Sequence, residues 1–241
     1  MSQNIELSLI LPCYNEAEHF TSSIRKISEV LEKSHIPFEI IFVEDESRDN
    51  TRVLIKEFLN KHTNKKYHAI FHIKNEGRGK SVTDGIYAAK GVYVGFIDID
   101  CEVSPSYIPK FLSQLKSGRD IVCAERHYQT TTGGLLRTLA SKMYQQLVKI
   151  ILAANLSDTE AGYKFFKRKR ILPVLSRVRD AGWFWDTEVM VRSERVGLNI
   201  MFIPVQFNRR MDKTSTVRLI PDTLSYFIKL LAFKLNLAEM I

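Results

Sequence analysis

Two acidic clusters, each placed where an apolar run stops, hold the residues of this chain best suited to chemistry. Val43-Glu44-Asp45-Glu46-Ser47-Arg48-Asp49-Asn50-Thr51 follows Ile40 to Val43, and Asp98-Ile99-Asp100-Cys101-Glu102 follows Val92 to Ile97. In an open α/β sheet the crevice outside the carboxyl ends of the strands is where ligands bind, so acids delivered there by two strands can converge on one ligand. In an extended D-x-D-x-E segment, Asp98, Asp100 and Glu102 point to the same side. Oxygen donors with no nearby His suit Mg²⁺ or Mn²⁺, which typically keep several waters and complete their shell with substrate phosphates. The plainer reading makes such acids turn and N-cap residues. That reading fits Asp49, since Asp49-Asn50-Thr51 has the form of an ordinary helix start. It fits Asp98 poorly, because a carboxylate interrupting a strongly apolar strand is costly without a partner.

The elements that must position these acids follow from the apolar pattern. Strands are expected at Leu7 to Leu11, Phe38 to Val43, His68 to Ile73 and up to Asp98, with helices between them ending near Lys33, Lys61 and Ala89. This alternation implies an α/β fold with a doubly wound, mostly parallel sheet and right-handed crossovers. After Pro105 the rhythm changes. A helix to about Lys116, a strand at Asp120 to Ala124, a long amphipathic helix from about Leu135 to Leu152 and a strand at Tyr163 to Phe166 are expected. A helix over Trp183 to Val196, a strand over Ile200 to Phe207 and a last amphipathic helix from Pro221 to Leu237 complete the chain. No linker separates domains, so residues 1–241 are expected to form one domain.

The 241 residues suffice for one large α/β domain, and 45% hydrophobic content supports a core. The net charge of +8 is uneven: residues 164–241 hold 15 Lys and Arg against 7 Asp and Glu, while residues 1–163 balance at 20 against 20. Such a basic part could meet nucleic acid, anionic lipid head groups or a phosphorylated substrate. Cys13, Cys101 and Cys123, an odd number without C-x-x-C spacing, indicate neither a disulfide framework nor a zinc site and suit a reducing compartment. The N-terminus lacks a cationic segment followed by an apolar signal core, and no window of about 18 uninterrupted apolar residues occurs, so a soluble or peripheral protein is expected. Gly77-x-Gly79 could open a phosphate-cradling turn. It lacks the third glycine of G-x-G-x-x-G and follows the third strand, so it is a poor dinucleotide fingerprint.

Taken in order, the motifs resemble those of family 2 glycosyltransferases of the GT-A fold, and among them the polyprenyl-phosphate sugar synthases such as dolichyl-phosphate mannose and glucose synthases. The likeness covers roughly residues 6–218. Leu11-Pro12-Cys13-Tyr14-Asn15-Glu16 resembles L-P-x-Y-N-E, which implies that Pro12, Tyr14 and Glu16 face the nucleotide base. Val43-Glu44-Asp45-Glu46-Ser47 resembles V-D-D-x-S, so Val43 and Asp45 are implied to bind nucleotide, although Glu44 departs from the first aspartate. Asn75, Gly77 and Gly79 match an N-x-G-x-G turn near the donor, and Asp98-Ile99-Asp100-Cys101-Glu102 the metal-binding D-x-D with a further acid. Arg126, then Gly133-Gly134 with Arg137 and Ser141, resemble segments implied to hold an acceptor phosphate; Asp158 falls in a similar D-T-x-x-G-[FY]-[KR] segment. Asp186 and Glu188 match F-D-x-E and are implied to orient the sugar. Near the end the pattern breaks: Lys213 stands where glycine is usual and Thr216 where lysine is usual, so phosphate clamping passes to Arg210, Lys213 or Arg218.

The resemblance implies metal-dependent, inverting transfer of a hexose from a GDP- or UDP-sugar to a polyprenyl or dolichyl phosphate. Residues 1–104 would be the nucleotide-sugar half and residues 105–241 the acceptor half. A cation on Asp98, Asp100 and Glu102 would stabilise charge on the leaving diphosphate. A phosphomonoester, with a second pKa of about 6, is already anionic near neutrality and needs cationic positioning more than a base. Arg126 and Arg137 are expected to supply it, because a guanidinium fork matches phosphate better than Lys does. Asp100, Arg126 and Arg137 are thus the expected catalytic residues. The resemblance further implies an anionic membrane surface at the cytoplasmic face as a partner, allows a membrane-anchoring subunit, and involves no nucleic acid. Apolar faces interrupted by Lys142, Lys149, Lys229 and Lys234 could lie on a bilayer, or pack on the sheet. A hydroxyl acceptor would instead require Asp158, Asp186 or Glu188 as a base. A nucleotidyltransferase is disfavoured because Pro12 to Glu16 has no Gly, Lys or Arg, and a non-catalytic nucleotide-sugar-binding module would bind without turnover.

Overall fold

The computed structural model describes residues 5–63, 66–128, 146–208 and 219–238. Leu7–Cys13 (β1), Phe38–Glu44 (β2), Tyr67–Phe71 (β3) and Tyr93–Ile97 (β4) alternate with helices Ala17–Lys33 (α1), Thr51–Lys61 (α2) and Arg78–Ala88 (α3). After a 3-10 turn at Pro105–Tyr107 come Ile108–Lys116 (α4), Ile121–Tyr128 (β5), a helical stretch at 146–152, Tyr163–Lys167 (β6), Arg168–Leu175 (α5), Trp185–Arg195 (α6), Ile200–Phe207 (β7) and Leu219–Ala238 (α7). All seven strands join one sheet in the order β3-β2-β1-β4-β6-β5-β7.

The sheet is mixed and mostly parallel, in keeping with the expected α/β fold. β6 runs antiparallel to both β4 and β5, while every other named pairing is parallel. Continuous apolar runs bury β1 and β2 on both faces, as in parallel sheets covered by helices. On one face Phe20 of α1 and Phe58 of α2 pack around Phe42, and Phe111 of α4 meets Tyr163 and Phe165. On the other, α3 lies against β1 through Gly85 and Ile10, and Trp185 of α6 packs edge-on against Phe96. The apolar spacing Phe20, Ile24, Ile27 and Leu31 explains how α1 presents one buried stripe.

Helix α5 is absent from the sequence reading. Lys167-Arg168-Lys169-Arg170 reads as a solvated charge run and Pro173 as a breaker, yet Ile171, Val174 and Leu175 form a small buried face that holds the helix on the sheet.

Candidate active site

The carboxyl ends of β1, β2 and β4 open on the same edge because these strands are parallel neighbours. Antiparallel β6 delivers its start to that edge: Tyr163 pairs with Ile97, and the Asp98 N–H donates to the Gly162 carbonyl at 3.0 Å. The acidic segment after β4 is a turn, not the extended stretch expected. The Cys101 N–H donates back to the Asp98 carbonyl at 3.2 Å, Cys101 has φ of 55°, and the Glu102 N–H donates to Asp100 Oδ1 at 3.3 Å. The strand stops at Ile97, so the period-two argument for Asp98, Asp100 and Glu102 does not apply. Among the described residues no three His, Cys, Asp or Glu side chains gather into a metal-holding group. Asp98 and Asp100 are nevertheless neighbours in charge. The Asp98 carboxyl is raised above its ordinary value, first by burial and then, against the pull of Arg78, by the charges of Asp100 and Asp186. Two crowded carboxylates with oxygen donors only fit a hard divalent cation that keeps waters and takes further ligands from a diphosphate. Gly162 permits this packing, since a Cβ there would lie 1.8 Å from Asp98 Oδ2.

A chain of ion pairs, not foreseen from the motifs, holds the acidic edge together. Arg78, on the first turn of α3, donates through Nε and Nη2 to Asp98 Oδ1 at 2.9 and 2.7 Å, and through Nη1 to Asp186 Oδ2 at 2.5 Å. Its guanidinium lies 5.2 Å from the ring centres of both Phe96 and Trp183. Burial works against its charge, but Asp186 and then Asp98 outweigh it and raise its pKa. Lys164, wholly buried, donates to Asp186 Oδ1 and to the Ala161 carbonyl, each at 2.5 Å. Asp186 sits in the first turn of α6, where the helix dipole favours an anion. It is expected to orient a sugar, but here its two oxygens are taken by two cations, so it braces Arg78 and Lys164. Arg78 lies inside a motif read for its glycines, and Lys164 is the last position of the D-T-x-x-G-[FY]-[KR] segment, which does not show that it is buried.

The exits of β1 and β2 are zipped into one wall. Asn15 N–H donates to Ser47 Oγ at 3.1 Å, Arg48 N–H to Asn15 Oδ1 at 2.8 Å, and Ala17 N–H to Asp49 Oδ2 at 3.0 Å. Asp49 also accepts from Thr51 N–H at 2.9 Å, an Asx turn that leads into α2 one residue before its N-cap, Asn50. Pro12, Tyr14 and Glu16 are half-buried along this wall, whereas Val43 is fully buried. Asp45 is buried too, and both carboxylate oxygens are engaged. Oδ1 meets His72 Nδ1 at 2.7 Å and Glu76 N–H at 2.8 Å; Oδ2 accepts from Gly77 N–H at 2.8 Å. The Asn75 amide adds a bond to the Asp45 carbonyl at 3.0 Å. Asp45 therefore shapes the Asn75–Gly77 turn. Gly77 adopts φ of 97°, where a side chain would be strained and would strike the Ala181 carbonyl. Gly79 packs against Trp185, which a Cβ there would strike.

Arg126 closes its fork on a neighbour. Its Nε and Nη2 donate to the two Asp158 oxygens at 2.8 and 2.9 Å, its backbone N–H to Asp158 at 3.1 Å, and Nη2 also reaches Glu160 at 3.3 Å. Burial alone would raise the Asp158 carboxyl, but the Arg126 charge and hydrogen bonds, then Lys164, hold it below its ordinary value. The expected acceptor clamp at Arg126 and Asp158 is thus an internal pair at the end of β5. Glu188 accepts from the N–H groups of Arg179 and Asp180 at 3.1 and 2.8 Å and from Arg192 Nε at 2.7 Å, so it braces the loop before α6. Gly133, Gly134, Arg137, Ser141, Lys142, Arg210, Lys213 and Arg218 lie outside the described residues, as does 135–145 of the long helix expected at 135–152.

Residues 8–172 match the family model described as glycosyl transferase family 2. The chain belongs to glycosyl transferase family 2. This enzyme family agrees with the strand-end acids and the mixed sheet. The chain is 30% identical over 226 residues to the glycosyltransferase AglD of Haloferax volcanii, covering 89% of this chain but only 35% of that protein. It is 25% identical to a dolichyl-phosphate beta-glucosyltransferase of Dictyostelium discoideum, over 85% of this chain and 67% of the relative, and 26% identical to that of Drosophila melanogaster, over 86% and 68%. Glucosyl-3-phosphoglycerate synthase from Mycobacterium tuberculosis, solved with Mn²⁺ and UDP-glucose, shares the fold with a TM-score of 0.71 at 18% identity, over 95% of this chain and 78% of that one. The family 2 glycosyltransferase assignment rests on the sequence match; the structural likeness concerns the fold.

Proposed function

We propose that this glycosyltransferase transfers a hexose, with inversion, from a nucleoside-diphosphate sugar to a polyprenyl or dolichyl phosphate. The observation that carries the reading is the pair Asp98 and Asp100 in the turn that follows β4, where burial first, and the charge of Asp100 after it, raise the Asp98 carboxyl. Asp98 and Asp100, with Glu102 in support, would hold Mg²⁺ or Mn²⁺. When bound, that cation neutralises charge developing on the leaving diphosphate. Relatives named as dolichyl-phosphate glucosyltransferases, and a fold neighbour solved with UDP-glucose, support glucose on UDP as the first donor to try, with GDP-hexose next.

The chain's own residues do the positioning. The wall of Pro12, Tyr14 and Glu16, with the turn that Asp45 organises, seats the nucleotide. Arg78 and Lys164 fix Asp186 and Asp98, so the acidic edge meets the donor already ordered. An acceptor phosphate oxygen attacks the anomeric carbon opposite the departing diphosphate. With a second pKa of about 6 it needs no proton removed, and Asp158 and Asp186, each locked to cations, are poorly suited to act as bases. Arg137 with Gly133, Gly134 and Ser141, and Arg210 or Lys213, would hold the acceptor phosphate, while Arg126 positions the end of β5. A lipid acceptor places the protein peripherally at a membrane, assigned to the cytoplasmic face; among the described residues no helix is long and apolar enough to cross one.

Thermal stabilisation by nucleotide sugars tests the donor half. With UDP-glucose and Mn²⁺ at about 100 times Kd, folding should gain about 2.7 kcal/mol. Asp100→Asn or a chelator should remove that gain. Equal stabilisation without metal would overturn the assignment of the acidic pair.

A further inference from the structure

A cavity of about 790 Å³ opens away from the acidic edge, between 150–153, α5, the end of α6 and α7. Asp186 stands in the first turn of α6 and Arg195, which lines the cavity, at its last residue; nine residues of helix separate them by about 14 Å. Ile151, Val174 and Leu198 contribute an aliphatic floor, and six cations line the same space: Lys169, Arg170, Arg177, Arg192, Arg195 and Lys234. No Asp or Glu is among the lining residues. Some of these cations are engaged: Arg192 with Glu188, Arg195 with the Leu152 carbonyl, Arg170 with Asp120. Among the described residues, Lys169, Arg177 and Lys234 have no carboxylate partner.

The surface beside the cavity is apolar as well. Leu230 and Phe233 bury one side of α7, with Phe233 edge-on to Phe184. Phe227, Ile228, Leu231 and Leu235, 40%, 59%, 41% and 70% exposed, share a different face at helical spacing, and Ile150 at the cavity wall is 75% exposed. An exposed apolar stripe beside clustered cations is the surface expected of a helix lying in a bilayer interface. A soluble phosphate would use the cations and leave the floor and the stripe unexplained.

We propose that this cavity and the adjoining face of α7 seat the protein on a bilayer by taking in an acidic phospholipid, its phosphate among the cations and its acyl chains against the aliphatic floor. The inference draws on the proposed lipid acceptor only for the presence of a membrane. The assay contains neither nucleotide sugar nor metal, so seating and sugar transfer fail separately.

The test is cosedimentation with phosphatidylcholine vesicles that contain or lack phosphatidylglycerol. Binding should require phosphatidylglycerol. Lys169→Glu with Arg177→Glu, both at exposed positions, should weaken it by at least about tenfold, as two cations near an anionic surface predict. Ile150→Asp should weaken it too. Lys33→Glu with Lys61→Glu, which changes net charge equally on α1 and α2, should leave it near wild type. Circular dichroism melting confirms that each variant is folded. Equal loss from both charge-reversal pairs, unchanged binding in the first pair, or binding without phosphatidylglycerol would each overturn the proposal.

Discussion

Lys164→Met is the most informative perturbation of the ion-pair chain, because it deletes a wholly buried charge while keeping side-chain length and apolar volume. In the folded protein Nζ serves Asp186 and the Ala161 carbonyl, each at 2.5 Å, and lies 5.4 Å from the Phe96 ring centre. Removing one partner of a buried pair typically costs about 3–5 kcal/mol. Asp186 keeps Arg78, which places the expected loss at the low end, about 3 kcal/mol, part of it from the orphaned carbonyl. For a chain of this size that is a fall in Tm of about 6–12 °C. Calorimetry of Lys164→Met, Asp186→Asn and the double variant forms a mutant cycle. The double variant should be more stable than the sum of the single losses predicts, by at least about 1 kcal/mol, because each single change strands the other's charge. Additive losses, or a Tm for Lys164→Met within about 1 °C of wild type, would refute the claim that this chain orders the acidic edge.

Asp45→Ala leaves His72 and the N–H groups of Glu76 and Gly77 without their acceptor, so stability should fall by about 2 kcal/mol and donor KM should rise more than kcat falls, read from steady-state kinetics. A loss confined to kcat would place Asp45 in the chemistry instead. Asp158 makes an acid-side prediction. Its folded carboxyl is held below the ordinary 3.8, so its stabilising contribution is complete above that value and is lost as pH falls through the lower folded value. Asp158→Asn should therefore be less stable than wild type by about 3 kcal/mol near neutral pH, and denaturant titrations below pH 3.8 should find the gap closing.

Strand positions were legible because parallel strands covered on both faces are continuous apolar runs, as Ile40 to Val43 and Val94 to Ile97 illustrate. Strand order was not, since the antiparallel insertion of β6 depends on pairings made across the chain. Helix α5 was hidden by four consecutive basic residues and Pro173. At the candidate site, the places of Asp45 and Asp98 at strand ends and of Gly77 in a turn were legible, but the geometry of Asp98, Asp100 and Glu102 was not. The alternation rule assumes extended backbone, and the chain turns at Asp98 to Cys101. Arg78 and Lys164 fall inside motif segments but carry no role in the sequence reading, because a cation's value lies in the carboxylates packed around it, and Asp186 joins them from over a hundred residues along the chain from Arg78. Arg126 resembles a phosphate clamp in sequence, and its pairing with Asp158 depends on a residue 32 positions away that the local motif does not reveal.

The central claim is that the nucleophile is a lipid phosphate acting on a nucleotide sugar held at the acidic edge. Transfer from radiolabelled UDP-glucose, with GDP-hexoses tested in parallel, to a polyprenyl phosphate and to the matching free polyprenol measures this directly. The account predicts metal-dependent product, inverted at the anomeric carbon, from the phosphate alone. Efficient transfer to the free alcohol would contradict it and require a carboxylate base.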